Sequence, residues 1–396
     1  MRASPLLSLL PLCFLAACAL EATDADLADG EPAEAESAIV PITQPDETAP
    51  ATSLAPAPLE HTESRLVDVR GVGDSGWSKT HERTAIPAAF GAALDRFDAT
   101  GHSYRGDLSF INWETVVGTT CSRFGSAYSP GRSYAFVSRP ENLTQAYERG
   151  FNLVGLSNNH TRDCHGSDEA AERGEAASPA MTAKGIASLG DLDWLTAGGA
   201  GTGEDDSARA QVRTFSMKGR EVRVAFGSLY TGRPDCPRAA CRGDATALFE
   251  SLRDAPADLR ILSLHSMAAA DQDELVRMSI RFVEQYGGDV VFGHGPHVWK
   301  PVRVVRKQGP AGGKGVIFES LGNFIHPSLG AQGRNYIGRA LFDAETLSLR
   351  QVQVIPVSNA GAEVRFSTAD AMNLESNLRW TRLAGSRTAV YANVAR

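Results

Sequence analysis

Five apolar runs of strand length each stop at a side chain able to hold a cation. Leu66 to Val72 ends at Gly73-Asp74, Leu108 to Trp113 at Glu114, and Phe151 to Leu156 at Ser157-Asn158-Asn159-His160. Leu259 to Leu264 ends at His265, and Asp289 to Phe292 ends at Gly293-His294, with His297 three residues on. Between these runs lie stretches of helical spacing at 86–97, 141–149, 168–186, 245–252 and 271–286. In the last of them Leu275, Met278, Phe282 and Val283 line one face of a helix. A chain that alternates strands with helices layers the helices on a sheet, because each element has an apolar side to bury. In such folds ligand sites lie beyond the carboxyl ends of the strands. The pattern therefore predicts a layered α/β domain in which residues distant in sequence meet at one sheet edge. Val212 to Phe215 and Val222 to Leu229 flank Lys218-Gly219-Arg220, which predicts a hairpin. Further short runs at 298–305, 316–318, 340–342 and 349–355 make a mixed sheet the expectation. No internal repeat is evident, and one domain of this length can bury a sizeable core.

The first 62 residues follow other rules. After Arg2, Leu6 to Leu15 is too short to span a bilayer as a mature helix and reads as the core of a signal peptide. It ends in Leu15-Ala16-Ala17-Cys18, which resembles the bacterial lipobox, where the cysteine becomes the lipidated first residue. Cys13 is the poorer candidate, because Pro11-Leu12 precedes it; a plain secretory signal is the alternative. Residues 19–62 are rich in Ala, Pro, Glu, Asp and Thr and lack aromatic and basic residues. Such a segment buries too little apolar area to offset the entropy of ordering it. The expected organisation is a signal peptide at 1–18, a disordered acidic tether at 19–62 and a folded domain at 63–396. The chain would be an exported bacterial lipoprotein, held at the cell envelope through a lipidated Cys18. No other stretch approaches the roughly 18 apolar residues of a spanning helix, so the lipid is the expected membrane attachment. The formal net charge of −8 resides in the tether, which holds ten of the 47 acidic residues and no Lys or Arg. The rest is nearly neutral and has no Lys/Arg-rich run, so nucleic acid is not an expected partner.

Four cysteines remain in the folded part, and an exported chain meets an oxidising compartment. Four cysteines allow three pairings. Cys236 and Cys241 flank a Pro-Arg-Ala-Ala loop and are expected to pair locally, leaving Cys121 with Cys164; free thiols are the alternative. A zinc site made of these cysteines is disfavoured, since no C-x-x-C spacing occurs.

Two carboxylates, an amide oxygen and several imidazoles make a mixed nitrogen–oxygen donor set. Such a set suits Mn, Fe or Zn better than Mg or Ca alone. A shared carboxylate can bridge two ions about 3.5–4 Å apart, and such a pair can clamp a phosphoryl group. One or two divalent ions are the expected cofactor. Plainer alternatives exist for most of these residues: a turn former at Asp74, a surface carboxylate at Glu114, Asx turns at Asn158 and Asn159, a core histidine at His265. His294 and His297, in Gly-His-Gly-Pro-His, have few purely structural uses. His61, His81, His102, His165 and His326 match no pattern, though His165 lies close to His160.

Together, Gly73-Asp74, Asn112-Trp113-Glu114, Ser157-Asn158-Asn159-His160 with Asp163 and Gly166, His265, Gly293-His294-Gly295-Pro296-His297 and Ser320-Leu321-Gly322-Asn323-Phe324 carry a resemblance. In this order they resemble the CapA family, which is associated with poly-γ-glutamate capsule synthesis and is similar in fold to calcineurin-like metallophosphatases. The resemblance covers about 65–330. It implies metal-ligand roles for Asp74, Glu114, Asn159, His265, His294 and His297. It implies for His160 the acid that protonates a leaving group, or a group that steadies a phosphoryl oxygen. Asn158 and Asn323 would be substrate-side amides. The chain departs from the family in having Gly295 where a histidine is usual. It also has Ser266-Met267-Ala268 where Trp-Gly and then Glu are usual; Gly76, two residues after the first aspartate, stands where the calcineurin-like pattern has a histidine that the CapA family itself often lacks. Two functions are open: a metal-dependent hydrolase of a phosphoester or related bond, and a non-catalytic component that binds an anionic polymer such as poly-γ-glutamate.

Overall fold

The computed structural model describes residues 64–80, 82–121, 123–124, 134–165, 177–199, 207–236, 239–267, 269–309 and 312–394. The signal peptide with Cys13 and Cys18, the tether, His61, His81 and the first part of the helix expected at 168–186 lie outside them. In chain order the first elements are β1 (Leu66–Ser75), α1 (Phe90–Asp98), β2 (Leu108–Trp113), β3 (Val116–Val117), β4 (Arg123–Phe124) and β5 (Val137–Ser138). Next come α2 (Glu141–Glu148), β6 (Leu153–Gly155), β7 (Cys164–His165), α3 (Ala177–Ala187) and β8 (Leu195–Ala197). Then follow β9 (Gln211–Met217), β10 (Arg220–Tyr230), α4 (Ala245–Asp254), β11 (Leu259–His265), α5 (Ala269–Tyr286) and β12 (Val290–His294). The remainder is β-structure: β13 (Val302–Arg306), β14 (Lys314–Phe318), β15 (Gln332–Asp343), β16 (Leu349–Ala360), β17 (Glu363–Phe366), β18 (Thr381–Arg382) and β19 (Val390–Asn393).

The expected mixed sheet is in fact two mixed sheets. One runs β18-β19-β16-β15-β1-β2-β6-β8, with β17 on β16; the other runs β13-β14-β12-β11-β10-β9. In the first, β1, β2, β6 and β8 are parallel while β15 pairs antiparallel with β1. In the second, β10, β11, β12 and β14 are parallel and β9 and β13 close the edges antiparallel. The predicted hairpin is the β9–β10 turn, where Lys218 and Gly219 take φ of 53° and 78°. Two successive residues with positive φ match the right-handed twist of the strands they join.

Strand alternation decides what each sheet face meets. Val67, Val69, Leu108 and Phe110 of the first sheet pack against Phe226, Ile261, Phe292 and Phe318 of the second. The Phe110 and Phe292 rings stack at 4.7 Å. Val72, Ile111 and Val154 face the other way, under Phe90 and Leu94 of α1 and Leu143 of α2. Leu262, Leu264 and Val291 are likewise covered by Leu248 and Phe249 of α4 and Leu275 and Phe282 of α5. The layering is helix, sheet, sheet, helix. Each fully buried Phe or Leu stabilises it by about 1.5–3 kcal/mol.

One irregularity positions the site. The β1–β2 register slips by one residue between Val72 and Asp74, so that Val72 opposes Ile111 and Asp74 opposes Asn112. Gly73 is the extra residue, and a Cβ there would collide with the carbonyl oxygen of Gly322. Without the bulge, Asp74 would share the helix-covered face of Val72. A one-residue slip moves a side chain to the opposite face. Asp74 therefore points between the sheets, on the side of Asn112.

Candidate metal centre

Parallel β10, β11 and β12 bring the last residues of neighbouring strands side by side, and His265 is in register with His294. The two imidazoles approach each other with Nδ1 atoms 2.7 Å apart. Ser263 Oγ lies 2.7 Å from His294 Nε2, which turns Nδ1 of that ring toward the centre. Asp74 comes from the other sheet, its Oδ1 3.8 Å from His265 Nδ1 and 3.7 Å from His294 Nδ1. Asn112 Nδ2 donates to that same Oδ1 at 2.8 Å. The Gly295 N–H donates to Asp74 Oδ2 at 3.1 Å, and His297 Nδ1 lies 2.9 Å from that atom. Glu114 Oε1 is 3.6 Å from His265 Nε2 and 4.0 Å from His160 Nε2.

Two groups of donors result, Asp74 with His265 and His294, and Asp74 with Glu114 and His297, the atoms of each within 4.8 Å of one another. Asp74 belongs to both. Both carboxylate oxygens of Glu114, Oδ1 of Asn159 and Nε2 of His265 are buried without a hydrogen-bond partner. Orphaned buried acceptors cost stability. Among the described residues four of the eight such atoms belong to residues expected as ligands, and a divalent cation held by the two donor groups would satisfy those of Glu114 and His265. The residues present therefore fit a metal ion.

The electrostatics show the same need. Burial, reinforced by the charge of Asp74, pushes Glu114 up to about 8. Burial also works against the Asp74 charge, but the hydrogen bond and charge of His297 prevail and hold that carboxyl below its ordinary range. Burial drives His265 well below the ordinary imidazole value and His294 down to about 3. Neutral imidazoles are the ligand form. At His297 burial is outweighed by Glu114 and Asp74, which raise it to about 9.

His160 lies in the turn after β6. Its Nδ1 is 2.7 Å from Asp163 Oδ2, and that oxygen also accepts the Phe136 N–H at 2.8 Å. Burial lowers the imidazole's affinity for a proton, but Asp163 more than compensates and the value is raised. The amide of Asn158 is engaged at both ends, donating to Trp113 O at 3.0 Å and accepting the His160 N–H at 3.0 Å. Asn323 Oδ1 is 2.8 Å from His297 Nδ1. Cys121 is bonded to Cys164, and Cys236 to Cys241.

The departure at Gly295 has a steric cause. Its φ is +108°, and a Cβ would collide with the carbonyl of Ser266. The second imidazole of this loop is His297, itself at φ 57°, with its side chain 40% exposed. A non-glycine residue with positive φ costs conformational energy, and such strain clusters at active sites. The roles of Asn112, Ser263 and Asp163 were not read from the sequence. Asp163 carried a signal in its spacing of three from His160, and Asn112 in its place two residues before Glu114, whereas Ser263 carried none.

The protein is a layered α/β sandwich of two mixed sheets with a buried cluster of carboxylates and imidazoles at its strand ends, a candidate metal site. More particularly, residues 72–328 match the model of the bacterial capsule synthesis protein PGA_cap, and the chain belongs to that family. Among solved structures it is similar to one described as a novel phosphatase from Mycoplasma pneumoniae, at 12% identity and a TM-score of 0.45, covering 75% of this chain and 95% of that one. It is also similar to a hypothetical protein from Thermus thermophilus, at 14% identity and a TM-score of 0.37, covering 75% and 96%. No curated protein matches the chain.

Proposed function

We propose that the protein is an exported, lipid-anchored hydrolase that uses divalent metal to cleave a phosphoester or a related bond. The observation that carries this reading is the pair of donor groups sharing Asp74, with the unpaired carboxylate of Glu114 in one of them. Asp74, Glu114, Asn159, His265, His294 and His297 would hold one or two ions of the Mn, Fe or Zn type. Bound there, such ions supply Lewis acidity toward a phosphoryl oxygen and make water acidic near neutral pH. The chain's own residues do the rest. Asp163 holds His160 by Nδ1, so the mobile proton of the imidazolium sits on Nε2, the atom facing Glu114. That proton is available to a departing oxygen. Asn323, through His297, sets the orientation of the more exposed imidazole. A lipid on Cys18, followed by the acidic tether, would keep the domain at the cell envelope.

The capsule-synthesis description of the family favours a second reading, in which the cleft holds an anionic polymer such as poly-γ-glutamate without turning it over. One experiment separates the two. Full-length protein purified in detergent is analysed for metal and assayed on an aryl phosphate with Mn, Fe and Zn. Bound metal with turnover that is lost in His160→Ala supports the hydrolase. Bound metal without turnover supports the polymer reading, and absence of tight metal binding rejects the centre itself.

A further inference from the structure

The inward face of the second sheet changes character one step before its ligands. Phe226 of β10 and Ile261 of β11 belong to the core between the sheets, but the next inward positions on those strands are Ser228 and Ser263. The two serines are partners in the β10–β11 register, and both are fully buried. A buried hydroxyl costs free energy unless it is hydrogen-bonded. These two are bonded in series. Ser263 Oγ lies 2.7 Å from His294 Nε2, Ser228 Oγ donates to Ser263 Oγ at 3.4 Å, and the Ser157 N–H donates to Ser228 Oγ at 3.2 Å. Ser157 belongs to the other sheet, where it opens the turn after β6 that carries Asn159 and His160. Its own hydroxyl, likewise fully buried, donates to Ala240 O in the loop closed by the Cys236–Cys241 bond.

The first sheet leaves room for this series. β6 ends in Gly155, where a Cβ would lie 2.7 Å from Ser263 Oγ. After β8, Gly198 at φ +93° passes so close that a Cβ would lie 2.6 Å from Ser157 Cβ and 2.9 Å from Ser228 Cβ. Hydrogens can be assigned along the series. A main-chain N–H can only donate, so Ser228 Oγ accepts from Ser157 and turns its one O–H toward Ser263. His294 Nδ1 faces His265 and Asp74, and an Nδ1 that binds a cation carries no hydrogen. The N–H of that ring is then on Nε2, and Ser263 Oγ accepts it. Both lone pairs of Ser263 Oγ are thereby engaged, one by Ser228 and one by His294, which fixes the oxygen beside the ring.

We propose that Ser228 is a positioning residue for the metal centre: anchored on the Ser157 main chain of the opposite sheet, it holds Ser263 so that His294 keeps Nδ1 toward Asp74. The inference rests on the metal reading of the site. Groups that orient metal ligands from behind contribute about 10–100-fold in metal affinity. The test is Mn²⁺ titration by calorimetry of full-length wild type, Ser228→Ala, Ser263→Ala and the double variant, with thermal melts in chelator as the control for folding. Should an alanine variant fail to fold, cysteine takes its place at that position. Ser263→Ala is expected to bind Mn²⁺ at least about tenfold more weakly. Ser228→Ala is expected to lose at least about threefold, the size of one coupled contact. Because Ser228 acts through Ser263, the double variant should stay within about twofold of Ser263→Ala alone, since losses along one hydrogen-bonded series do not add. Fully additive losses would reduce Ser228 to packing and overturn the role, as would wild-type affinity in either single variant. Both of those results leave the metal reading standing. A wild type that binds no Mn²⁺ overturns that reading, and this inference with it.

Discussion

Asp74 and Glu114 present the same functional group to the same centre, yet their proton affinities shift in opposite directions. The difference is in their partners: Asp74 has the His297 ring, the Asn112 amide and the Gly295 N–H, while both oxygens of Glu114 have none. In chelator, Glu114 at about 8 holds a proton that an unfolded glutamate has released above its ordinary 4.5. His297 at about 9 likewise holds one that an unfolded histidine releases above 6.5. Both make the folded state the proton-richer one, so stability falls as pH rises from about 7 to about 9. The depressed values of His265 and His294 act below that window. Thermal midpoints in EDTA should therefore drop across it, and Glu114→Gln or His297→Gln should flatten the slope; a rise would contradict the assignment. His160 yields a second prediction. If Asp163 keeps its imidazole charged, Asp163→Asn lowers kcat on an aryl phosphate by about tenfold or more and moves the limb that reports His160 to lower pH. His160→Ala loses the acid entirely, about 10²–10⁴-fold. An unshifted limb in Asp163→Asn would remove Asp163 from this role. Of the residues involved, Asp74, Glu114, His265 and His294 were legible because each stands at the end of an apolar run, and His160 and His297 because each follows such an end within a few residues. Ser263 was not, because its meaning is a contact with His294 on the neighbouring strand, 31 positions away in sequence.

At the scale of elements, the turn after β6 needs support, since β6 itself is only three residues long. The Cys121–Cys164 bond joins the segment after Glu114 to the residue next to Asp163, the cysteines being 43 positions apart in sequence. Closing a loop of that size restricts the unfolded chain and is worth about 2–4 kcal/mol. The paired replacement Cys121→Ser/Cys164→Ser should lower the thermal midpoint and reduce kcat more than it changes KM. The reason is that the bond bears on the orientation of His160 rather than on the substrate. A change confined to stability would limit the bond to a scaffold role, and parallel losses in kcat and 1/KM would point to general disorder. Elements whose apolar residues are contiguous were legible: the run at 108–113 is β2 to the residue, and the 218–220 turn closes β9–β10 as predicted. β8 escaped notice because Leu195–Ala197 is three residues flanked by a tryptophan and glycines. β15 begins eight residues before the apolar run at 340–342, because its first residues are polar and partly exposed.

For the whole molecule, the informative fact is which sheet supplies which donor. Asp74, Glu114, Asn159 and His160 lie at or just beyond the ends of strands of the nine-stranded sheet, whereas His265, His294 and His297 lie at or just beyond the ends of strands of the six-stranded one. That division was not legible, because sheet membership depends on pairings such as β1 with β15, from opposite ends of the domain. It has a thermodynamic consequence. Below the centre the sheets are joined by apolar packing of Phe110 on Phe292, and at the centre by carboxylates and imidazoles that satisfy each other incompletely. A cation bound by donors from both sheets is lost when either sheet unravels, so its binding free energy adds to the stability of the pair. Saturation at about 100 times Kd contributes about 2.7 kcal/mol. For a domain of this size that is a rise in thermal midpoint of about 4 °C. Mn²⁺ should produce this rise in the wild type and EDTA should reverse it. Asp74→Asn, which weakens the one donor common to both groups, should abolish it, while His294→Ala should leave a reduced response through the Glu114 group. An unchanged melting curve with saturating Mn²⁺ would mean that the two sheets meet here without a metal between them, and the partly unsatisfied cluster would then need another ligand to account for it.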